Sequence, residues 1–323
     1  MRILLWHVHG AWATAFVRGP HEYVVPVVPG RGPDGVGIAR TYAWPDAVRE
    51  LGPDEVREEP FDLVVLQRRH ELEHLCEDWT GRRPGRDLPA VYVEHNAPQG
   101  RIAGMRHPAA DRDDLLLVHV THFNALFWDA GATETRVVEH GIVDPGARYT
   151  GELARAAVVV NEACRRGRVT GTDLLARFAA AAPIDLFGID AASTPAPVRA
   201  IEDLPQDELH TQMARRRAYL HPIRWTSLGL SLLEAMHLGM PVVALGTTEV
   251  HEAVPPEAGT VSTRLDVLAA ALGRLMGDPA EAAERGRAAR AAALHRYGLA
   301  RFHADWDAVL AAWVGAPATE AVR

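Results

Sequence analysis

The sequence predicts an α/β protein made of two doubly wound parallel sheets, and three observations support this fold class. Short runs rich in valine, leucine and isoleucine recur along the chain with helix-like segments between them, as in parallel sheets covered on both faces. Several of these runs end in a glycine or a polar residue. The length of 323 residues suits about two domains, each large enough to bury its own core.

Ten segments have the composition of buried strands, six in the first half of the chain and four in the second. In chain order they are RILLWHV, YVVPVV, DLVVLQ, AVYVEHN, LLLVHVTH, TRVVEHG, AAVVVNEA, IDLFGI, RAYLHP and PVVALG. Ligands of open α/β sheets bind beyond the carboxyl ends of the strands. Two such sheets facing each other are therefore expected to form a ligand-binding cleft.

Proline and glycine interrupt this pattern in GIVDPGARYTGE, residues 141–152, between one predicted strand and the next. We therefore place a first domain at residues 1–147 and a second at 148–298. The remaining segment, 299–323, begins with a helical stripe of apolar residues that includes Phe302 and Trp306. We expect this helix to pack back on the first domain. The stretch 194–209 is expected to be a surface loop that leads into a helix.

Composition and charge exclude some classes of partner. The formal net charge of -8 argues against general binding to nucleic acid or to an anionic membrane. The chain contains no lysine, so any basic phosphate site must use arginine. Cys76 and Cys164 show no metal-ligand spacing and no secreted disulfide framework. The N-terminal MRILLWHVHG is too short to span a membrane. We expect a cytoplasmic protein with no membrane-spanning segment.

A helix with a defined start and end is predicted at LSLLEAMHL. Gly229 precedes this segment and Gly239 follows it, as expected for a helix that begins near Leu230. The first amides of such a helix have no intrahelical acceptor, and the helix dipole places partial positive charge there. The turn Ser227-Leu228-Gly229-Leu230 is therefore suited to bind a phosphate.

Glu234 is the single acid inside this otherwise apolar helix. It follows Leu230 by one helical turn on the same face, where its carboxylate can accept hydrogen bonds from two ribose hydroxyls. A bound nucleotide thus explains the glycine turn and the acid together. The alternative is that Glu234 is a solvated helix residue and Gly229 belongs to an ordinary turn.

The block HPIRWTSLGLSLLEAMHLGMPVVAL resembles the nucleotide-sugar segment of the family 4 glycosyltransferases, retaining enzymes of the GT-B fold. In that family two glutamates, separated by seven residues, frame a glycine-bearing turn. Glu234 matches the second glutamate, whereas Thr226 stands where the first is expected. Because the first glutamate usually contacts hydroxyls of the transferred sugar, this departure bears on donor-sugar identity and on activity.

Other segments extend the resemblance at lower specificity. AVVVNEACRRGRVTGTDLL is similar to the loop in which an arginine and a lysine of the family bind the diphosphate; here Arg166 and Arg168 are the candidates, with Arg165 less favoured. His95, after AVYVE, matches a family histidine that reaches the donor sugar. His9 and Gly10 stand where the family has a glycine-containing loop that faces donor and acceptor. His140 replaces a usual asparagine.

The resemblance implies two Rossmann-like domains and an enzyme that moves a hexose from a nucleoside diphosphate sugar to an acceptor hydroxyl with retention of configuration. It implies no metal and no cofactor besides the donor substrate. The leaving diphosphate would be stabilised by the helix N-terminus at Leu230 and by Arg166 or Arg168. The donor base, the hexose, the acceptor and the oligomeric state are not identified by the sequence.

Two alternatives remain open. HELEH, from His70 through Glu71 to His74, matches the zinc peptidase pattern H-E-x-x-H, although no extended downstream signature supplies a third ligand. Alternatively, Thr226 marks a protein that binds nucleotide sugars without transferring them.

Overall fold

The computed structural model of the protein describes residues 1–38, 42–194 and 197–315. Within the described residues the chain forms two compact units: the first comprises residues from Met1–Gly141 together with Ala300–Gly315, and the second comprises residues from Ile142–Leu299. The N-terminal part of the first unit thus ends at Gly141, whereas the sequence placed the domain boundary after residue 147. Residues 316–323 of the predicted C-terminal segment lie outside the described residues.

Parallel strands form the centre of both units. Within the described residues the strands are β1 (Arg2–Leu5), β2 (Glu22–Pro26), β3 (Arg49–Leu51), β4 (Leu63–Leu66), β5 (Ala90–Glu94), β6 (Leu116–His119), β7 (Thr135–Val137), β8 (Leu153–Val159), β9 (Ile184–Gly188), β10 (Arg199–Glu202), β11 (Arg216–His221), β12 (Val242–Leu245) and β13 (Gly259–Ser262). The first unit holds a sheet of order β3-β2-β1-β4-β5-β6-β7, and the second holds a sheet of order β10-β9-β8-β11-β12-β13. The order of each sheet reverses beside its first strand, as in doubly wound folds.

Helices connect most of the strands, as is usual between parallel strands, which need long crossover connections. They are α1 (Gly10–Phe16), α2 (Pro53–Glu58), α3 (Cys76–Thr80), α4 (His122–Phe127), α5 (Ala163–Thr170), α6 (Leu175–Ala179), α7 (Gln206–Ala214), α8 (Leu230–Leu238), α9 (Val250–Ala253), α10 (Leu265–Gly277), α11 (Pro279–Tyr297) and α12 (Leu299–Gly315). A π-helical turn, Glu71–Leu75, precedes α3. Short 3-10 turns lie at Ile102–Gly104, Thr172–Leu174 and Ala191–Ser193. In the described part of the chain no helix is both long enough and apolar enough to cross a membrane.

All ten predicted strand segments overlap an observed strand, but the prediction missed β3, β10 and β13. These three are edge strands with the short sequences REL, RAIE and GTVS. An edge strand has a single neighbour and is partly exposed, so it does not require a continuous apolar run. The expectation of a surface loop at 194–209 was therefore wrong in part, because that stretch contains β10.

The C-terminal helix confirms the expectation that it packs on the first unit. Phe302, Trp306 and Leu310 are buried along one face of α12. The ring of Trp306 makes edge contacts with Trp12 and Phe16 of α1, with centroid distances of 5.9 and 5.1 Å. These large aromatic contacts make α12 part of the core of the first unit.

The predicted bounds of α8 are also confirmed. The helix begins at Leu230 and ends at Leu238, and Gly239 follows with a φ of 89° in the left-handed region, a conformation that favours glycine. Every residue from Leu232 to Leu238 is buried. A helix buried on all sides needs no polar face, so the apolar composition of α8 follows from its place in the core of the second unit.

Candidate functional site

Each sheet has a point where the strand order reverses, and ligands of doubly wound folds bind beside the carboxyl ends of the strands at that point. In the first unit it lies between β1 and β4, and in the second between β8 and β11. The predicted site residues follow these strands or their neighbours closely: His9 follows β1, Arg166 follows β8 and Gly229 follows β11. The fold thus brings the candidate residues of each unit to the edge where ligands are expected.

Three histidines gather at this edge of the first sheet. His9 precedes the first residue of α1, His95 directly follows β5, and His140 follows β7. The ring centroids of His9 and His95 are 3.9 Å apart, and those of His95 and His140 are 6.4 Å apart. The ring centroids of Trp12 of α1 and His95 are 5.0 Å apart, with the two rings edge to face. We refer to His9, His95 and His140 as the imidazole cluster.

The imidazole cluster is neutral at neutral pH. Burial, Arg68 and His7 lower the pKa of His9 to about 4, while burial, His9 and Arg301 lower the pKa of His140 to about 3. Burial and the two other histidines of the cluster hold the pKa of His95 well below its usual range. A neutral imidazole can donate one hydrogen bond and accept another. This edge therefore offers polar contacts to uncharged hydroxyl groups.

Gly10, predicted to face donor and acceptor, makes a close contact within the first unit. A Cβ atom added to Gly10 would lie 2.5 Å from the ring of Tyr42. Any larger residue would displace that ring from the start of α1. The glycine thus lets Tyr42 lie against the segment that carries His9.

Sequence reasoning missed Glu94 and His107, which hold the residues around His95 in place. The amide of Ala109 donates to Nδ1 of His107 at 3.0 Å, so Nε2 carries the proton and donates to Glu94 Oε2 at 3.0 Å. The other oxygen of Glu94 accepts from the amide of Asn96 at 2.6 Å. The acid beside His95 in AVYVEHN was the available signal, but its partner His107 lies 13 residues further along, beyond the strand.

In the second unit, the turn before α8 has the predicted form. Gly229 precedes the helix in an extended conformation and, as a glycine, provides no side-chain cap. A Cβ atom at Gly229 would lie 2.6 Å from Cε1 of His221, a fully buried ring at the end of β11. With a φ of -69°, Gly229 is needed for this close approach and not for a left-handed backbone. Ser227 and Leu228 are buried beside it.

Glu234 is only 7% exposed, so the alternative of a solvated helix residue is wrong. Gln206 of α7 donates to its Oε1 at 3.2 Å, and His210 Nε2 lies 3.6 Å from its Oε2. These contacts place the carboxylate between α8 and α7. The buried acid therefore has structural partners of its own, in addition to any role toward a ligand.

The three candidate arginines near β8 differ in their partners. Arg165 pairs with Glu162, and Arg168, 78% exposed, pairs with Asp173 at 3.3 Å. Arg166 is half-buried and, in the ranges that the structure describes, has no ion-pair partner. Burial and the neighbouring Arg165 lower its pKa, and the more remote charge of Glu162 acts in the opposite direction. Because a half-buried cation without a salt-bridge partner is costly, Arg166 is the candidate best placed to bind an anion.

The HELEH segment does not have the geometry of a zinc peptidase site. Glu71 is fully buried and accepts hydrogen bonds from the amide of Gln67 at 2.6 Å and from Nε of Arg68 at 2.6 Å. The carboxylate thus closes the turn after β4 and is not free to act as a base. The rings of His70 and His74 lie 5.4 Å apart. Across the described residues no group of three or more metal-ligating side chains is arranged to hold an ion.

Residues 190–278 match the family described as glycosyl transferases group 1. No curated protein sequence matches the chain. The chain is similar in structure to a sucrose-phosphate synthase from Thermosynechococcus elongatus, with 14% identity, a TM-score of 0.72 and coverage of 96% of this chain and 98% of that one.

Two further solved structures are similar over nearly the whole chain. Alr3699/HepE of Anabaena in complex with UDP has 14% identity, a TM-score of 0.67 and coverage of 97% of this chain and 100% of that one. AviGT4, a glycosyltransferase involved in avilamycin A biosynthesis, has 14% identity, a TM-score of 0.63 and coverage of 98% and 99%. The chain has the GT-B fold that the sequence resemblance predicted.

Proposed function

We propose that the protein is a glycosyltransferase that moves a hexose from a nucleoside diphosphate sugar to an acceptor hydroxyl. The observation that carries this proposal is that, in the second unit, the half-buried Arg166 and the helix N-terminus at Leu230 follow two adjacent strands, β8 and β11. Both groups follow the two strands at the switch point of the sheet, where anionic ligands of doubly wound folds bind. The match of residues 190–278 to glycosyl transferases group 1 supports the same conclusion.

The donor site is assigned by the chemistry of each group. The turn Thr226-Ser227-Leu228-Gly229-Leu230 presents helix amides to the phosphates, and Arg166 supplies a charge-assisted hydrogen bond. Glu234 is assigned to the ribose hydroxyls. Arg168 is a weaker diphosphate ligand in this assignment because it is paired with Asp173.

The first unit is assigned the sugar and the acceptor. His95, with His9 and Gly10 beside it, supplies neutral hydrogen-bonding groups that suit hydroxyls. We propose that His95 contacts the transferred sugar. UDP-glucose is bound in one solved structure of Alr3699/HepE, which makes UDP sugars the first donors to test.

In the proposed reaction, the bond between the anomeric carbon and the diphosphate oxygen breaks as the acceptor oxygen attacks on the same face. Because the attack is on the same face, the configuration is retained. The leaving oxygen takes the acceptor proton, and no protein nucleophile is needed. Negative charge that develops on the diphosphate is stabilised by Arg166 and by the amides at Leu230. The chain itself thus supplies the charge stabilisation, with no step assigned to a metal.

The decisive experiment measures binding and turnover separately. Thermal shift with UDP, GDP, ADP and dTDP is expected to show that one of these nucleotides stabilises the protein. Release of that nucleotide from its glucose, galactose, mannose and N-acetylglucosamine conjugates is then followed with and without sugar acceptors. No stabilisation by any of the four nucleotides would contradict the proposal. Binding without turnover would identify a nucleotide-sugar-binding protein, the alternative raised by Thr226.

A further inference from the structure

Arg224 lies in the loop between β11 and α8 and joins this loop to the end of α5. Its guanidinium donates to both carboxylate oxygens of Asp173, at 2.5 and 2.9 Å, and to the carbonyl oxygen of Arg168 at 2.9 Å. Its own amide and that of Trp225 donate to the carbonyl oxygen of Val169 at 2.9 and 3.2 Å. Five hydrogen bonds thus connect the two segments.

Two neighbouring contacts hold the start of the same loop. Gly171, with a φ of 73°, lies so close to Pro222 that an added Cβ atom would be 1.9 Å from its carbonyl oxygen. The carbonyl of Ile223 accepts from the hydroxyl of Thr247 at 2.8 Å. The start of the loop thus packs against Gly171 and Thr247, and the Arg224–Asp173 pair adds a bidentate side-chain contact further along it.

The charges of this cluster are divided unevenly. Asp173 accepts from both Arg224 and Arg168, and the contact with Arg224 is the main cause of the lowered pKa of Asp173. Gly167, which departs from helical geometry with a φ of 43° and a ψ of -112°, separates Arg166 from Arg168 within α5. Arg168 and Arg224 thus both pair with Asp173, while Arg166 remains available for a ligand.

We propose that Arg224 and Asp173 form a positioning bridge that sets the distance between Arg166 and the N-terminus of α8. This inference rests on the proposed function, in which both groups bind one diphosphate. Charge-assisted hydrogen bonds are short and directional, so a diphosphate is bound by both groups only when their spacing matches it. Neither Arg224 nor Asp173 touches the nucleotide in this proposal.

The test compares ligands that differ only in their phosphates. Affinities of wild type and Arg224→Gln for UDP, UMP and uridine are measured by calorimetry, or for the matching series of another base if the nucleotide panel selects one. We expect Arg224→Gln to weaken UDP binding by about 10-fold, as for the loss of one charge-assisted hydrogen bond. Binding of uridine should change less than about 2-fold, because the nucleoside has no phosphate for Arg166 and the N-terminus of α8 to bind.

Further variants test the bridge as a unit. Asp173→Asn should weaken UDP binding to a similar degree, and the double variant should be no weaker than either single one, because paired groups are not additive. Arg224→Lys should recover part of the affinity, since lysine keeps the charge but not the bidentate geometry. Arg264→Gln is the matched control, because Arg264 pairs with Asp266 on the exposed surface of the same unit.

Unchanged UDP affinity in Arg224→Gln would overturn the bridge. Equal losses for UDP, UMP and uridine would also overturn it, since they would indicate general damage to the unit. If wild-type protein binds none of the nucleoside diphosphates, the proposed function itself fails. The two failures are therefore distinguished by the wild-type measurement.

Discussion

At the carboxyl edge of the first sheet the polar groups are neutral imidazoles, whereas at the edge of the second they are a guanidinium and helix amides. Both sheets are doubly wound. His9, His95 and His140 stay uncharged because burial and mutual proximity disfavour their protonation. Arg166 stays charged because a guanidinium does not lose its proton in proteins. In the proposed function, the strand order sets where a ligand binds, and the side chains decide whether the bound group is a hydroxyl or an anion.

The largest effect is expected from a substitution at the carboxyl edge of the first sheet, which should lower turnover without changing nucleotide affinity. His95→Asn should lower sugar transfer by about 100-fold, as for the loss of a group that contacts the reacting sugar, with UDP affinity unchanged. Steady-state kinetics and calorimetry measure the two quantities. His119→Asn is the control: it alters another buried histidine of the first unit and should leave turnover unchanged. A parallel fall in UDP affinity would contradict the division of roles.

At the second edge, Arg166→Gln should weaken UDP binding by about 10-fold to 30-fold, because a charge-assisted hydrogen bond to phosphate is lost. The matched control is Arg165→Gln, whose wild-type side chain is already paired with Glu162. We expect less than about a 3-fold change in that variant. Equal effects of the two substitutions, measured by calorimetry, would remove the distinction between these arginines.

A third variant tests why the second edge needs glycine before its helix. Gly229→Ala should destabilise the protein by about 1–3 kcal/mol, since the new methyl group overlaps the buried ring of His221. Urea unfolding measures the loss. Adding His221→Ala should make the double variant more stable than the sum of the single effects predicts. Strict additivity would show that the ring contact is not the cause.

The smallest effect concerns pH. The folded-state pKa of His140 is lowered to about 3, below the ordinary value of about 6.5 in the unfolded chain. The unfolded state therefore binds more protons below pH 6.5, and stability falls as the pH falls from 6.5 toward 3. His140→Asn should remove about 1–2 kcal/mol of the stability difference between pH 7.5 and pH 5. The free energy of unfolding of His140→Asn is measured with urea at both pH values. A difference between the two values equal to that of the wild type would refute this assignment.

Much of the fold was predictable because the deciding interactions are local. Continuous apolar runs marked the central strands, and Gly229 and Gly239 marked both ends of α8. The edge strands β3, β10 and β13 were missed because half of their surroundings is solvent, which leaves little hydrophobic signal. The family resemblance supplied the GT-B fold, which neither periodicity nor composition distinguishes from other doubly wound proteins.

The candidate site was predictable as a set of residues but not as an arrangement. The sequence named Arg166 and Arg168 as equal candidates, and the structure separates them because Asp173 lies beside Arg168. The sequence predicted that Glu234 accepts hydrogen bonds from ribose hydroxyls, and the structure adds Gln206 and His210 as its partners within the protein. Glu71 matched a catalytic motif, yet its carboxylate closes a turn.

By itself, the sequence determined the alternation of strands and helices, the start and end of α8, and the absence of lysine from any phosphate site. Only the tertiary structure decided which charged side chains have partners, which histidines are neutral, and that Gly229 is required by His221. The physical reason is the separation along the chain of the residues that interact. Helix caps and strand patterns depend on residues a few positions apart, whereas burial and ion pairing depend on segments that folding brings together from distant parts of the chain.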